Sequence, residues 1–244
     1  MNTFLKLLRF LGPTLLFFGT FVIFPSLTMS YIDGALDKSL MVIWLVAILY
    51  AIIISLTLRR RKFSYTPKDG FIITFVTWVL VSLIAALPFL NTGLSFSDSF
   101  FEAVSGLTTT GSTSIKDLSL LPDYMLLYRQ LLQWAGGVGL VIVVLAIIPA
   151  VSGGMKVLQA ETAGFADKSF SPRLRETARS LLKFYLLITL VCAAAYYLAG
   201  MTVFEAATHS FSTVSIGGFS IYNDNIGFFN NQQIEIIAVV FMLI

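Results

Sequence analysis

An all-α protein embedded in a membrane is the fold class this sequence predicts, and three observations predict it. The first is composition. Of 244 residues 57% are hydrophobic and only 12% charged, with a mean hydropathy of +0.87, whereas a soluble domain carries roughly a quarter of charged residues. The second is distribution, because the charges leave five uncharged stretches, at residues 10–32, 40–58, 70–97, 130–155 and 184–204. The third is an internal repeat, described below. Together they exclude a soluble enzyme, a disordered chain and a secreted disulfide scaffold. The single cysteine, Cys192, cannot form an intrachain disulfide, and one Cys with one His cannot build a Cys/His zinc site.

A helix needs about 20 apolar residues to cross the hydrocarbon. The five stretches therefore read as five spans, and a sixth begins near Ile234 and is still running at Ile244. The first stretch is longer than a signal-peptide core and lacks a small-residue cleavage site, so it is expected to stay as a span. The basic residues give an orientation. With the N-terminus inside, Lys6, Arg9, Arg59, Arg60, Arg61, Lys62, Lys68, Lys156, Lys168, Arg173, Arg175, Arg179 and Lys183 are cytoplasmic, and only Lys38, Lys116 and Arg129 are outside. The split is 13 against 3 of the 16 Lys and Arg, a strong positive-inside signal. The acids lean outward: Asp33, Asp37, Asp98, Glu102, Asp117, Asp123, Glu205, Asp224 and Glu235. The pI near 9.0 is thus a topology signal, and the run Arg59–Lys62 reads as a helix stop at anionic lipid rather than a nucleic-acid patch.

Displaced by 107 residues, the chain matches itself without gaps. Lys68 meets Arg175, Asp69 meets Glu176, Gly93 meets Gly200, Asp98 meets Glu205, Ser105 meets Ser212, Gly111 meets Gly218 and Asp117 meets Asp224. Apolar composition alone would not align charges and glycines. Both copies start on the inner side, so this is a parallel duplication, and repeats in membrane proteins commonly place their site at the repeat interface. In order, the elements are two N-terminal spans (1–62), a first unit (63–150), a cytoplasmic connector (151–173) and a second unit (174–244) that stops inside its last helix. Each unit has a long apolar helix, ending near Phe89 or Leu198. A short segment follows, 97–107 or 202–214, with an acid near its start that suits a helix N-terminus. At about 15 Å it is too short to span. Next comes a polar, glycine-bearing stretch: Thr108, Thr109, Thr110, Gly111 and Ser112, or Ser215, Ile216, Gly217, Gly218 and Phe219. A further apolar helix returns inward.

Irregular backbone at membrane depth is tolerated only where protein buries it or water lines it. A half-helix aims its C-terminal dipole, about −0.5 charge, at the loop that follows. Glycine lets carbonyls turn in ways other residues resist. Negative helix ends and carbonyl rings favour a cation, which is how a cation selectivity filter is built.

At these residues a family resemblance emerges. The stretch Phe100-Phe101-Glu102-Ala103-Val104-Ser105-Gly106-Leu107-Thr108-Thr109-Thr110-Gly111 resembles the first pore loop of Trk-type potassium uptake proteins, the TrkH/KtrB family. His209-Ser210-Phe211-Ser212-Thr213-Val214-Ser215-Ile216-Gly217-Gly218-Phe219-Ser220 resembles the second. Tyr128-Arg129-Gln130 with Gln133-Trp134, Gly136-Gly137 and Gly139 resembles the helix after the first loop. The two extra helices before the first unit are similar to the TrkH branch. The resemblance covers the whole chain. It implies a K⁺-channel-like fold of four helix–pore-loop–helix units around one potassium pore, symporter-like or channel-like, in the bacterial inner membrane. It places the filter glycines at Gly111 and Gly218, with K⁺ held by carbonyls of Thr109, Thr110, Gly111, Ile216, Gly217 and Gly218, K⁺ being cargo and no cofactor being implied. It also implies a cytosolic nucleotide-binding regulatory subunit of the TrkA type, which the polar segment 153–175 could touch, or that segment is a plain connector with an interfacial helix. Only two units are present and the family's gating loop, in the third, is absent. The chain is expected to be an N-terminal half that needs further repeats or a second copy. The rival reading is a non-conducting membrane fragment or assembly subunit. A membrane enzyme would need paired carboxylates, Ser/His sets or metal ligands at membrane depth, which the spans lack.

Supporting residues carry two readings each. Glu102 and Arg129 either pair to brace the filter or cap helices and face water separately. His209, which replaces Glu102 one repeat on, is either a hydrogen-bonded packing residue or a pH sensor. Gly136, Gly137 and Gly139 imitate a nucleotide loop but lack a preceding strand, so close helix packing explains them. Gly218, rather than Gly217, is the expected counterpart of Gly111. Cys192 reads as a packing residue, and Trp44, Trp78 and Trp134 as packing or lipid-facing.

Overall fold

The computed structural model describes residues 3–34, 36–58, 67–151 and 170–244. The basic run Arg59–Lys62 and most of the connector 151–173 lie outside them. The fold is all-α. Helix α1 (Thr3–Ile32) bends through one π turn, Gly19–Ile23, closed by Phe24 N–H donating to Gly19 O. Pro25 follows at once; it has no N–H and its ring would crowd the carbonyl four residues back, so the widened turn relieves that clash. Helix α2 (Lys38–Leu58) has 21 residues, about 31 Å at ~1.5 Å each, which matches a hydrocarbon core of ~30 Å. Helix α3 (Pro67–Leu90) and α5 (Asp123–Val151) flank the short α4 (Phe96–Leu107); α6 (Phe170–Leu198) and α8 (Gln232–Leu243) flank the short α7 (Val203–Val214).

Among the described residues four helices are long and apolar enough to cross a membrane: α1, α2, and the parts Lys68–Leu90 and Arg179–Leu198 of α3 and α6. The fourth expected span falls in α5, a continuous helix of 29 residues. The hydrophobic distribution is the reverse of a soluble protein's, since α2 exposes Val42, Val46, Leu49, Ile53 and Leu56; apolar side chains so exposed are stable only out of water, against lipid or further protein.

Two buried acids, one paired with a cation and one held by neutral donors, tie the ends together. Lys6 on α1 meets Asp69 on α3 at 2.6 Å, both buried. At the opposite end Asp37 caps α2 through the Ser39 and Leu40 amides and accepts from Tyr124 Oη at 3.0 Å and Asn91 Nδ2 at 3.3 Å. Burial alone would push the Asp37 carboxyl up, but the hydroxyl and amide donors, Ser39 first, outweigh it and hold the carboxyl below its ordinary value.

The two units repeat down to single dihedrals. Gly93 (φ 85°) and Gly200 (φ 108°) end α3 and α6 in the left-handed region. Ser95 and Thr202 then cap α4 and α7 by accepting from Asp98 N and Glu205 N. Thr202 and Glu205 complete a reciprocal capping box. Each short helix has 12 residues, about 18 Å, and ends well short of a bilayer's thickness. Cys192 is buried with Tyr196, Met201, Ala206 and Ile234, a packing role.

Candidate functional site: two loops at the ends of two half-helices

The loops begin where α4 and α7 terminate, and both terminate alike. Thr109 N donates to Gly106 O at 3.0 Å and Thr110 N to Ser105 O at 2.9 Å. One repeat on, Ile216 N donates to Thr213 O at 3.0 Å and Gly217 N to Ser212 O at 2.8 Å. These are Schellman caps, which need a left-handed residue just past the helix end. Glycine usually fills that place. Here Thr109 and Ile216 do, each with φ 54°. A β-branched residue is unfavourable there, and such strain of about 1–3 kcal/mol collects at functional sites. Two residues later Gly111 (φ 78°) and Gly218 (φ 79°) repeat the left-handed turn. Gly218, not Gly217, therefore shares the backbone of Gly111.

This cap decides where oxygens point. In a trans peptide the N–H and the preceding C=O are antiparallel. The amides of Thr109 and Thr110 turn back onto α4, so the carbonyls of Thr108 and Thr109 turn away from it. The carbonyls of Ser215 and Ile216 turn away from α7 for the same reason. They face the space that the helix dipoles make negative. Thr108, Thr110, Ile216 and Gly218 are exposed while Ser215 and Gly217 are buried, so each loop has an open face.

The loops touch. A Cβ on Gly111 would collide with Gly217 O, so glycine is required for this approach. Gly217 O also accepts from Gln133 Nε2 at 2.7 Å, and Gln133 Oε1 accepts from Phe219 N at 3.0 Å. Gly218 O accepts from Asn225 Nδ2 at 3.1 Å. Two of the six expected carbonyls thus already have a protein donor, with one lone pair each remaining. Displaced by 107 residues, Gln133 meets Val240 and Asn225 meets Leu118, which have no polar side chain, so these clamps are not duplicated. Gln133 appears in the motif, but its aim at the second loop could not be seen in spacing alone.

Behind the loops is a buried polar frame. Arg129 Nε donates to Glu102 Oε1 at 2.8 Å, Nη1 to Ser220 O at 2.9 Å and Nη2 to Thr113 Oγ1 at 3.3 Å. Its guanidinium lies 4.2 Å from the Phe219 ring centroid. Glu102 also accepts from Thr113 Oγ1 and Ser114 N. Both charged side chains are sealed from solvent, at 1% and 0% exposure. Glu102 and Arg129 thus pair with each other rather than facing water separately, and Arg129 joins the first half-helix to the chain just past the second loop. His209 takes Glu102's place in α7. Its Nε2 pairs with Ser220 Oγ at 3.0 Å and its Nδ1 with Glu205 O at 2.9 Å. Ser220 corresponds to Thr113, so the same contact recurs with different chemistry.

The glycines of α5 work as packing residues. A Cβ at Gly136 would strike Leu107 O at the end of α4, and one at Gly137 would meet Tyr185 Oη at 2.6 Å. Glycine lets α5 lie directly against both half-helix ends. Outside the loops, Asn223 Nδ2 donates to Asp117 at 2.9 Å and its Oδ1 accepts from Leu118 N at 2.9 Å, which ties the two units at their outer rim.

The family model described as TrkH, cation transport protein, matches residues 37–244. The chain belongs to the TrkH family. It is 40% identical to the Trk system potassium uptake protein TrkH of Vibrio parahaemolyticus, over 99% of this chain and 51% of that protein. It is 39% identical to TrkH of Escherichia coli K12, over 94% of this chain and 48% of that protein. Against TrkG of the same strain it is 42% identical over 77% of this chain. The crystal structure of the potassium transporter TrkH from Vibrio parahaemolyticus superposes with a TM-score of 0.82 at 35% identity, covering all of this chain and 49% of that one. The chain spans about half the length of the curated relatives it matches. TrkH-family proteins are cation transporters, not enzymes, and the helix, half-helix, loop, helix arrangement is this family's fold.

Proposed function

We propose that this chain forms the first two of four units of a potassium-conducting pore, the N-terminal half of a Trk-type uptake protein in the bacterial inner membrane. Residues 1–62 are its flanking spans, 63–150 and 174–244 its units, and 151–173 a cytoplasmic connector. The N-terminus is cytoplasmic, by the 13-to-3 split of basic residues. The observation that carries the reading is the shared pair of left-handed residues, Thr109 and Gly111 in one loop and Ile216 and Gly218 in the other, each pair directly past a half-helix. The caps turn amides toward protein and carbonyls toward open space, which a dehydrated cation needs and an anion would not tolerate. Thr108, Thr109, Thr110 and Gly111 line one quadrant, and Ser215, Ile216, Gly217 and Gly218 the next. Of the expected ligands, the carbonyls of Thr109 and Ile216 are those the caps turn outward; Thr110 and Gly111 complete the first loop, and Gly217 and Gly218 contribute their remaining lone pairs. Glu102 with Arg129, and His209 with Ser220, are bracing groups rather than ligands.

Two quadrants do not close a ring. The remaining two come from further repeats of the same polypeptide or from a second copy, and a nucleotide-binding subunit of the TrkA type docks on the cytoplasmic side. The test uses the complete transporter containing this half, in cells lacking other K⁺ uptake. Gly111→Ser and Gly218→Ser are expected to keep the protein in the membrane but lose preference for K⁺ over Na⁺, read as growth on limiting K⁺ and as radioactive Rb⁺ uptake competed by Na⁺. Wild-type uptake and selectivity in both variants would remove these glycines from the filter and sink the proposal.

A further inference from the structure

A cavity of about 430 Å³ lies between α1, α3 and the junction of α4 with α5, within the range of ligand-sized pockets. It backs onto Leu107, the last residue of the first half-helix, and onto Gly136, which packs against that residue's carbonyl. Pro13 on its wall is exposed, and Phe17, Thr74 and Trp78 are half-buried, so it opens sideways between α1 and α3.

Its chemistry is graded along the membrane normal. Arg9 is the one charged residue among the described lining residues. Lys6 bonded to Asp69 sets the register of α1 against α3. Arg9 lies three residues beyond Lys6, and Thr77 lies eight beyond Asp69. With the cytoplasmic N-terminus proposed above, on which the choice of leaflet rests, both helices run outward, so Thr77 sits five residues deeper than Arg9, about 7–8 Å. Thr77 is 6% exposed, and its hydroxyl has no hydrogen-bond partner, an uncommon state for a buried donor. Past Thr77 the wall is apolar, with Phe18, Val81, Leu107 and Ala135. From Arg9 to Phe18 is nine residues, about 14 Å along the helix, or roughly half of a ~30 Å hydrocarbon core.

A cation at headgroup level, a donor without an acceptor one step below it, and an apolar slot one leaflet deep follow the order of a phospholipid: phosphate, ester carbonyl, acyl chain. We propose that this cavity is a binding site for one anionic phospholipid of the inner leaflet, whose phosphate meets Arg9, whose ester carbonyl accepts from Thr77 Oγ1 and whose acyl chain ends behind the first loop. A net anionic headgroup is the complement of the Arg9 guanidinium, which donates from Nη1 to Leu58 O at 3.4 Å and carries five N–H donors in all. The site is independent of what the loops conduct.

The test is native mass spectrometry of the detergent-purified chain titrated with phosphatidylglycerol and, separately, with zwitterionic phosphatidylcholine. Wild type is expected to retain one phosphatidylglycerol in preference to phosphatidylcholine. Arg9→Gln is expected to weaken phosphatidylglycerol about fivefold and to erase the preference. Thr77→Val, which removes only the hydroxyl, is expected to weaken both lipids two- to tenfold. Gly139→Leu fills the slot from α5, where a Cβ would have Trp78 at an ordinary 3.9 Å, and is expected to abolish retention of both lipids. Equal retention of the two lipids by wild type overturns the proposal, as does unchanged retention in a folded Gly139→Leu protein. Should Gly139→Leu lose its helical circular dichroism, Arg9→Gln and Thr77→Val decide: wild-type binding in both overturns the site.

Discussion

Glu102 and His209 occupy the same place in two half-helices, yet they are stabilised in different ways. Each hydrogen-bonds the hydroxyl eleven residues further on in its own loop, Thr113 or Ser220, at 3.0 Å. Glu102 is sealed from solvent, and a carboxylate without water needs a counter-charge, so the first unit contains Arg129. His209 can stay neutral, and two hydrogen bonds suffice. Arg129 then exceeds the needs of its own unit by reaching Ser220 O beyond the second loop. Identical backbones are thus held by a charge network on one side and by neutral contacts on the other. The lesson is that duplication preserved the loop geometry while the supporting chemistry diverged.

The largest expected effect breaks the charged side of this comparison. Arg129→Ala leaves Glu102 buried without a counter-charge and is expected to cost about 3–5 kcal/mol, seen as a large loss of thermal stability in detergent. His209→Ala removes two neutral hydrogen bonds and is expected to cost only ~1–3 kcal/mol. Equal losses in the two variants would show that both frames rest on packing rather than on charge.

Next in size is the asymmetry of the two glycines. Gly111→Ala meets both a left-handed φ and the Gly217 carbonyl, whereas a Cβ on Gly218 has nothing within 4 Å. Gly218→Ala should cost only the conformational term of about 1–2 kcal/mol, and Gly111→Ala clearly more, because backbone must move. Thermal unfolding of the two variants side by side checks the ranking.

Gln133→Leu sharpens the comparison from the other side. It unclamps Gly217 O and Phe219 N in the second loop and should cost ~1–3 kcal/mol. Hydrogen exchange is expected to rise at Phe219 and its neighbours and to stay unchanged at Thr109 and Thr110, whose amides donate to carbonyls of their own half-helix. The smallest effect belongs to the outer rim. Asn223→Ala removes an exposed contact to Asp117 and the partner of the Leu118 amide, and a loss within ~0.5–1.5 kcal/mol is expected in the same unfolding assay. A drop as large as that of Arg129→Ala would move the main link between units from the buried frame to the rim.

The sequence by itself determined the elements and their order. Uncharged runs marked the spans, the acids Asp98 and Glu205 marked the starts of the short helices, and the 107-residue displacement paired Gly111 with Gly218, because length, helix-end charge and glycine placement act over a few residues. It also marked Glu102 and Arg129 as candidate partners, with pairing and separate capping both open. Thr109 and Ile216 as left-handed residues were not legible, since their type argues against that conformation and only the helix cap imposes it. Tertiary structure alone decided that Arg129 reaches Ser220, that Gln133 clamps Gly217 and Phe219, and that Thr77 faces a cavity. Those partners lie dozens of residues away, in the loop of the other unit or on another helix. Which side chains meet is set by how the helices rotate and approach one another, and here the approach depends on Gly136 and Gly111 letting backbone touch backbone.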